Sequence, residues 1–472
     1  MPEILKNTGS FRDPSGYIYQ QNDDIFRIIT SRGLDTYNFL KAAPTIKKLI
    51  KQGDVVDFTE LDRPQWPQIG DIDVQKIIQH PTIPFITYPY EWPFFVLKQA
   101  ALLHLDIQIK CLKENISLSD ATAYNVQFNG TKPAFIDLLS FRPYQDGEFW
   151  TAHRQFCEQF LNPLLMRALL GVPHNSWYRG NLEGIPVDQL SQILPLKYCF
   201  SWKVLSNIIL QAKFQNQAYS MSKNELQTQV NKRKLPKSGY LAMLSQLRDW
   251  IASLTPKHSK KSTWGDYDQE HTYNSKEEQE KIKYIKDFCA KIKPKHLWDL
   301  GCNSGQYSEA ALSGGAENVV GFDFDQNALD KAWHRAIDKK LNFLPLFLDA
   351  TNPSPAQGWN NTERQSLQKR GNADAIIALA FEHHLAIGKN IPLPDVIAWL
   401  TSLAPSGVIE FVPKNDSTIQ KMLAIREDIF SGYTQENFEA ELKKHAQIID
   451  HKTVSAEGRT LYWFERSAGM AS

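Results

Sequence analysis

The chain has 472 residues, 42% of them hydrophobic and 22% charged, an ordinary globular balance that excludes wholesale disorder. At roughly 150 residues per domain, two to three domains are expected. Lysine and arginine number 53 against 52 acidic residues, and the net charge of +1 gives no global electrostatic case for nucleic acid or an acidic membrane. No apolar run reaches about 18 residues, so no transmembrane helix is expected. The start, MPEILKNTGSFRDPSG, lacks the apolar core of a secretory signal. The five cysteines, Cys111, Cys157, Cys199, Cys289 and Cys302, contain no CxxC pair. Neither a disulfide framework nor a zinc site is expected, and the reading is a reduced, cytoplasmic protein.

A first block runs from about Gly16 to Ala212. GYIYQQNDDIFRII (16–29) reads as two strands about a polar turn. PFITYPY leads into an apolar helix over 94–113. In the following SLSDATAYNVQFNGTKPAFIDLLSF, Asp120 precedes Asn125 by five, and Asp137 ends the second strand of a hairpin turning at Asn129-Gly130. That pattern has a chemical logic: one Asp can orient a hydroxyl, while the Asn and the second Asp hold magnesium on a phosphate. The stretch from about Phe85 to Phe141 resembles the catalytic loop and metal-binding strand of protein kinases and aminoglycoside phosphotransferases. The resemblance implies a kinase-like α+β fold with Mg-ATP at Asp120, Asn125 and Asp137. It departs from the family in having no His-Arg before Asp120 and Leu138-Leu139 in place of Phe-Gly. No glycine-rich loop or phosphate-binding lysine can be assigned. A binding-only kinase-like fold, an active phosphotransferase and an unrelated substrate-binding fold all stay open.

Phe214 to Lys237 is polar with little apolar periodicity and reads as a linker. Tyr240 to Leu254 has helical spacing at Leu241, Leu244, Leu247 and Ile251. The basic run Lys257, Lys260 and Lys261 reads as a solvated linker face.

From about residue 264 the pattern becomes regular α/β. A helix over 275–291 opens with a capping box, Ser275 and Glu278. The strand HLWDL (296–300) runs into Gly301-Cys302-Asn303-Ser304-Gly305 and a helix from about Gln306 to Ser313. Glycines in such a turn let backbone approach a ligand, and the helix start offers free N–H groups. Further strands are read at 317–325, ending in Asp323 and Asp325; at 341–350, ending in Asp349 and Ala350; at 374–381, followed by Glu382-His383-His384; and at 406–413, with Glu410. In a doubly wound sheet these tips share one crevice, and an acid on strand two faces a ribose. The turn reads GCNSGQ, so neither GxGxxG nor the phosphate loop GxxxxGK[ST] is met. Two last strands, 446–454 and 459–466, are joined through Gly458.

DLGCNSG followed by VVGFDFD resembles motifs I and II of class I S-adenosylmethionine-dependent methyltransferases, over about 264–466. The resemblance implies a Rossmann-like, seven-stranded doubly wound sheet with an antiparallel last strand. It implies that Asp299, Gly301, Asn303 and Gly305 surround the methionine part of S-adenosylmethionine. Asp323 would hold the ribose, with Asp349 and Ala350 at the adenine. Asn303 stands where the family has a glycine, and asparagine tolerates left-handed φ. Glu382, His383 and His384 face the reacting sulfonium in this topology, and a histidine can take a proton at neutral pH. The Asn-Pro-Pro-Tyr motif of amino-nitrogen methyltransferases is absent there. Trp264, Tyr267 and Tyr273 read as a cofactor lid, and FSGYTQENF (430–438) as an acceptor-pocket wall.

With SLSDATAYNVQF, FIDLLSFRPY and AHRQFCEQFLNPLL in its N-terminal half, the whole chain also resembles bacterial two-domain proteins of the NoeA type. The expected organisation is residues 1–212 as an α+β, kinase-like domain for acceptor recognition, 213–262 as a linker with one helix, and 263–467 as the methyltransferase domain. The expected function is methyl transfer to an unidentified acceptor, a small molecule rather than nucleic acid, by a monomer. A bifunctional kinase-like methyltransferase and a non-catalytic cofactor sensor are the alternatives.

Overall fold

The computed structural model describes residues 5–22, 24–67, 73–209, 234–257, 275–371, 373–424 and 426–466. Its contacts divide it into two compact units. The first contains most of the chain up to His258 together with the decapeptide Ala356–Gln365; the second contains most of the remainder.

In the first unit, β1 (Leu5–Lys6), β2 (Gly16–Gln21), β3 (Asp24–Ile29), β4 (Thr59–Glu60) and β5 (Lys76–His80) form an antiparallel sheet of order β1-β2-β3-β5-β4. The two strands read at 16–29 are β2 and β3. The helix Phe94–Lys113 appears where expected, starting after Pro93. It leads to two small ladders. One pairs β6 (Ile116–Leu118) with β9 (Phe141–Pro143), and the other pairs β7 (Val126–Asn129) with β8 (Lys132–Phe135). The helix expected at 240–254 spans Lys237–Ser253 and buries Tyr240, Leu244, Leu247 and Ile251. The decapeptide is tied into this unit by Arg12, which donates to both carboxylate oxygens of Glu363 at 2.7 and 2.9 Å. The Gln365 N–H donates to the Tyr88 hydroxyl at 2.8 Å, and Arg364 lies 4.1 Å over the Tyr124 ring.

The second unit is one seven-stranded sheet. Its strands are β10 (His296–Leu300), β11 (Asn318–Asp323), β12 (Phe343–Phe347), β13 (Ala375–Ala378), β14 (Ser406–Phe411), β15 (Gln447–Thr453) and β16 (Thr460–Glu465). The order is β12-β11-β10-β13-β14-β16-β15, with β16 antiparallel to both β14 and β15 and the other pairs parallel. The central strands read as continuous apolar runs because helices cover both faces; β14 is buried throughout. The edge strand β15 is mostly exposed and bulged at Ile448/Asp450, which blunts an open edge. Leu297, Phe343, Ile377, Val408 and Trp463 form part of the core.

The strands stop short of the spans read from sequence, for local reasons. After Asp323, the Asp325 side chain turns to cap the helix Gln326–Asp338, accepting from the N–H groups of Asn327 and Ala328 at 2.8 and 3.2 Å. Asp349 folds onto the Thr351 hydroxyl at 2.6 Å. Ala380 takes a left-handed φ of 49° and ends β13. Among the described residues no helix is long and apolar enough to cross a membrane.

Candidate functional site

The turn after β10 is left-handed at three residues: Gly301 (φ 77°), Asn303 (φ 46°) and Gly305 (φ 80°). Asparagine adopts that conformation more easily than other side-chain-bearing residues, which explains its presence at the middle position. The N–H groups of Gly301 and Cys302 donate to the Phe322 carbonyl at 2.8 and 3.0 Å, locking the turn to β11. Packing demands the glycines as well. A Cβ on Gly301 would lie 2.9 Å from the Phe381 ring, and one on Gly305 would overlap Phe343.

A cavity of about 570 Å³ opens along the carboxyl edge of this sheet. Gly301, Asn303, Asp323, Phe324, Asp349 and Ala350 line it beneath β10, β11 and β12. Ala380, Phe381, His384, Glu410 and Met422 line it beyond β13 and β14. The Asn303 N–H donates to one oxygen of Asp323 at 2.9 Å, and the Asp325 N–H to the other at 2.9 Å. Burial pushes the Asp323 carboxyl up to about 6, opposed by those backbone donors. Each oxygen keeps a further lone pair, which suits the hydroxyls of a ribose.

Two residues expected at the cofactor are absent from the cavity wall. Asp299 is buried behind the turn, accepts from the Ser308 hydroxyl at 2.6 Å, and is pushed up to about 7 by desolvation. It fixes the first turn of the helix Gln306–Gly314. Gly305 is that helix's N-cap and supports the turn from behind.

The three residues at the β13 tip separate in the same way. His384 lines the cavity, and Glu382 and His383 do not. The Glu382 carboxylate points inward, accepting from the Tyr433 hydroxyl at 2.6 Å and the Val412 N–H at 3.1 Å, and burial pushes it up to about 8. Tyr433 is therefore a support for Glu382, and no residue of 430–438 lines the cavity; Met422 does. His383 is wholly buried, 4.1 Å from the His384 ring, and held well below the usual histidine value by desolvation. Desolvation also lowers His384, to about 4, so it is neutral at pH 7. Trp264, Tyr267 and Tyr273 lie outside the described residues, as do Lys260 and Lys261.

Several cavity residues were missed or left unassigned by sequence reasoning. Glu278, read as a cap, lines the cavity and accepts from the Gln306 amide. Tyr307 also lines it. Lys281 and Glu410 line it as a buried ion pair, Nζ to Oε1 2.6 Å. A lysine on the apolar stripe of an amphipathic helix is the signal that could have exposed this pair.

In the first unit, the structure brings Asp120, Asn125 and Asp137 together. The Asn125 amide donates to Asp120 at 3.3 Å and to Asp137 at 3.4 Å. Burial, then the neighbouring Asp137 charge, push Asp120 up to about 7. Arg27 of β3, itself 91% buried, donates to Asp137 at 3.0 Å.

A seven-stranded sheet in this order, with a glycine turn after its first strand and acids at the tips of its second and third, defines the class I methyltransferase fold. No protein-family model matches the chain. Nodulation protein NoeA of Rhizobium meliloti (strain 1021) is 48% identical over 466 residues, covering 99% of this chain and 97% of that protein. The chain belongs to the NoeA family. Among solved structures, magnesium protoporphyrin IX methyltransferase from Synechocystis PCC 6803 is 16% identical, covering 47% of this chain and 99% of that one, with a TM-score of 0.33. N-methyltransferase NodS from Bradyrhizobium japonicum WM9 is 13% identical, covering 41% of this chain and 98% of that one, with a TM-score of 0.31.

Proposed function

We propose that this protein is an S-adenosylmethionine-dependent methyltransferase acting on a small-molecule acceptor. The observation that carries the proposal is the meeting of the left-handed Gly301–Gly305 turn with Asp323 at the mouth of one cavity. Asp323 would accept the ribose hydroxyls, Asp349 and Ala350 would flank the adenine, and the turn backbone would take the methionine end. The cofactor supplies an electrophilic methyl group. The chain's own contribution is to hold an acceptor at the β13–β14 end, where orientation alone can contribute up to about 7–11 kcal/mol. His384, lowered to about 4 by burial and so neutral at pH 7, can accept a hydrogen bond from that acceptor. The first unit would select the acceptor.

Calorimetric titration with S-adenosylhomocysteine tests the site, and transfer of labelled methyl groups from the cofactor into a cell extract tests the reaction. One-to-one binding with label transfer is expected. Absence of binding would remove the proposal, and tight binding without label transfer into any extract would favour a cofactor sensor.

The convergence of Asp120, Asn125 and Asp137 favours a second reading, a kinase-like nucleotide site in the first unit. The residues as placed do not fit magnesium: Asp137 is already paired with Arg27, and Asn125 presents amide donors to both acids. Titration of magnesium-ATP into protein saturated with S-adenosylhomocysteine decides it, a flat trace leaving acceptor recognition as the role of that unit.

A further inference from the structure

Ala380 is strained. It bears a Cβ yet takes a φ of 49°, a conformation that persists only where its surroundings impose it. Its N–H donates to Glu410 Oε2 at 2.9 Å. The other oxygen of Glu410 accepts from Lys281 Nζ at 2.6 Å, and Arg459 lies 3.7 Å away, held in turn by Asp416 at 2.6 Å. Side-chain exposure is 1% for Lys281 and 0% for Glu410. A buried ion pair seldom adds stability over apolar side chains of similar volume, because desolvation offsets the attraction. Its presence on a cavity wall asks for another role.

We infer that Glu410 is a positioning residue that sets the tip of β13. Its carboxylate fixes the left-handed Ala380, and Lys281 fixes the carboxylate. The consequence reaches both ends of the cavity. Phe381, next in the chain, is the residue whose ring requires glycine at 301. The Phe381 carbonyl accepts from the His384 N–H at 3.1 Å, which places His384 on the wall. One hydrogen bond to a strained backbone therefore shapes the cofactor turn and orients the acceptor end together. The link to ligand binding rests on the methyltransferase proposal; the link to the tip's conformation does not.

The test compares two uncharged pairs of similar volume in the full-length protein. Lys281→Met with Glu410→Gln removes both charges and retains an amide oxygen for the Ala380 N–H. Lys281→Met with Glu410→Leu removes the acceptor too. Hydrogen exchange across residues 378–386 should stay slow in the Gln pair and become at least tenfold faster in the Leu pair. S-adenosylhomocysteine affinity should be at least tenfold weaker in the Leu pair than in the Gln pair. Adding Ala380→Gly to the Leu pair should recover part of the affinity, since glycine removes the strain. Equal exchange in the two pairs would overturn the anchor, as would failure of both pairs to fold, which would assign Glu410 to balancing the buried charge of Arg459. A wild-type protein that does not bind S-adenosylhomocysteine would sink the methyltransferase reading, and the exchange comparison would still decide the anchor.

Discussion

Asp323 ends a short strand, Asp137 closely follows one, and both accept from backbone N–H, yet the two units use them differently. Asp323 receives Asn303 and Asp325, has no salt-bridge partner among the described residues, and faces a cavity. Asp137 receives Leu139 at 3.3 Å and also a nearly buried guanidinium, Arg27. An acid held by neutral donors keeps its charge and spare lone pairs available to a ligand. An acid closed by an arginine has both already committed. Similar sequence settings thus yield an acid that faces a cavity in one place and an internal clamp in the other.

The contrast can be broken most directly at Asp323. Asp323→Ala should weaken S-adenosylhomocysteine binding about 100-fold, the loss of charge-assisted hydrogen bonds worth about 1.5–3 kcal/mol, with the circular dichroism spectrum retained. Unchanged affinity by calorimetry would place the ribose elsewhere. Arg27→Met should show the opposite profile, with S-adenosylhomocysteine affinity kept and unfolding in urea easier by about 2–3 kcal/mol, because Asp137 is left without its cation. Loss of ligand affinity in that variant would contradict the clamp.

A pH series sharpens the same contrast. The folded-state value of Asp120, about 7, lies above the ordinary carboxyl value near 4, so the native protein holds a proton that the unfolded chain releases. The stability it contributes is fully present below about pH 4 and is lost as pH rises to about 7. Asp120→Asn, which cannot release a proton, should therefore gain stability relative to wild type as pH rises through that window. A constant difference across the window would remove the raised value. The smallest effect is expected at Asn303→Gly. Glycine takes the same left-handed φ freely, and affinity should change by no more than about twofold.

How far the sequence discloses this protein varies with the physics involved. The sheet was legible strand by strand because buried parallel strands are continuous apolar runs, as in HLWDL and SGVIEF. The turn and Asp323 were legible because glycine and asparagine report backbone conformation directly. Asp299 and Glu382 misled: a buried acid that ties backbone together and one that faces a ligand look alike in sequence, and only the direction of the side chain separates them. Lys281 was hidden because its partner lies 129 residues away. Asp120, Asn125 and Asp137 were placed together by local spacing, whereas Arg27 comes from a strand 110 residues earlier and no local pattern announces it.

The decapeptide Ala356–Gln365 belongs to the first unit although the strands on either side of it in the chain, β12 and β13, belong to the second. A gene truncated near residue 258 would thus deliver a first unit lacking Glu363 and Gln365, which bond Arg12 and the Tyr88 hydroxyl. The complementary fragment would carry an orphaned loop between the edge strand β12 and the central strand β13. Recombination near residue 258 would therefore part the first unit from a segment that packs within it.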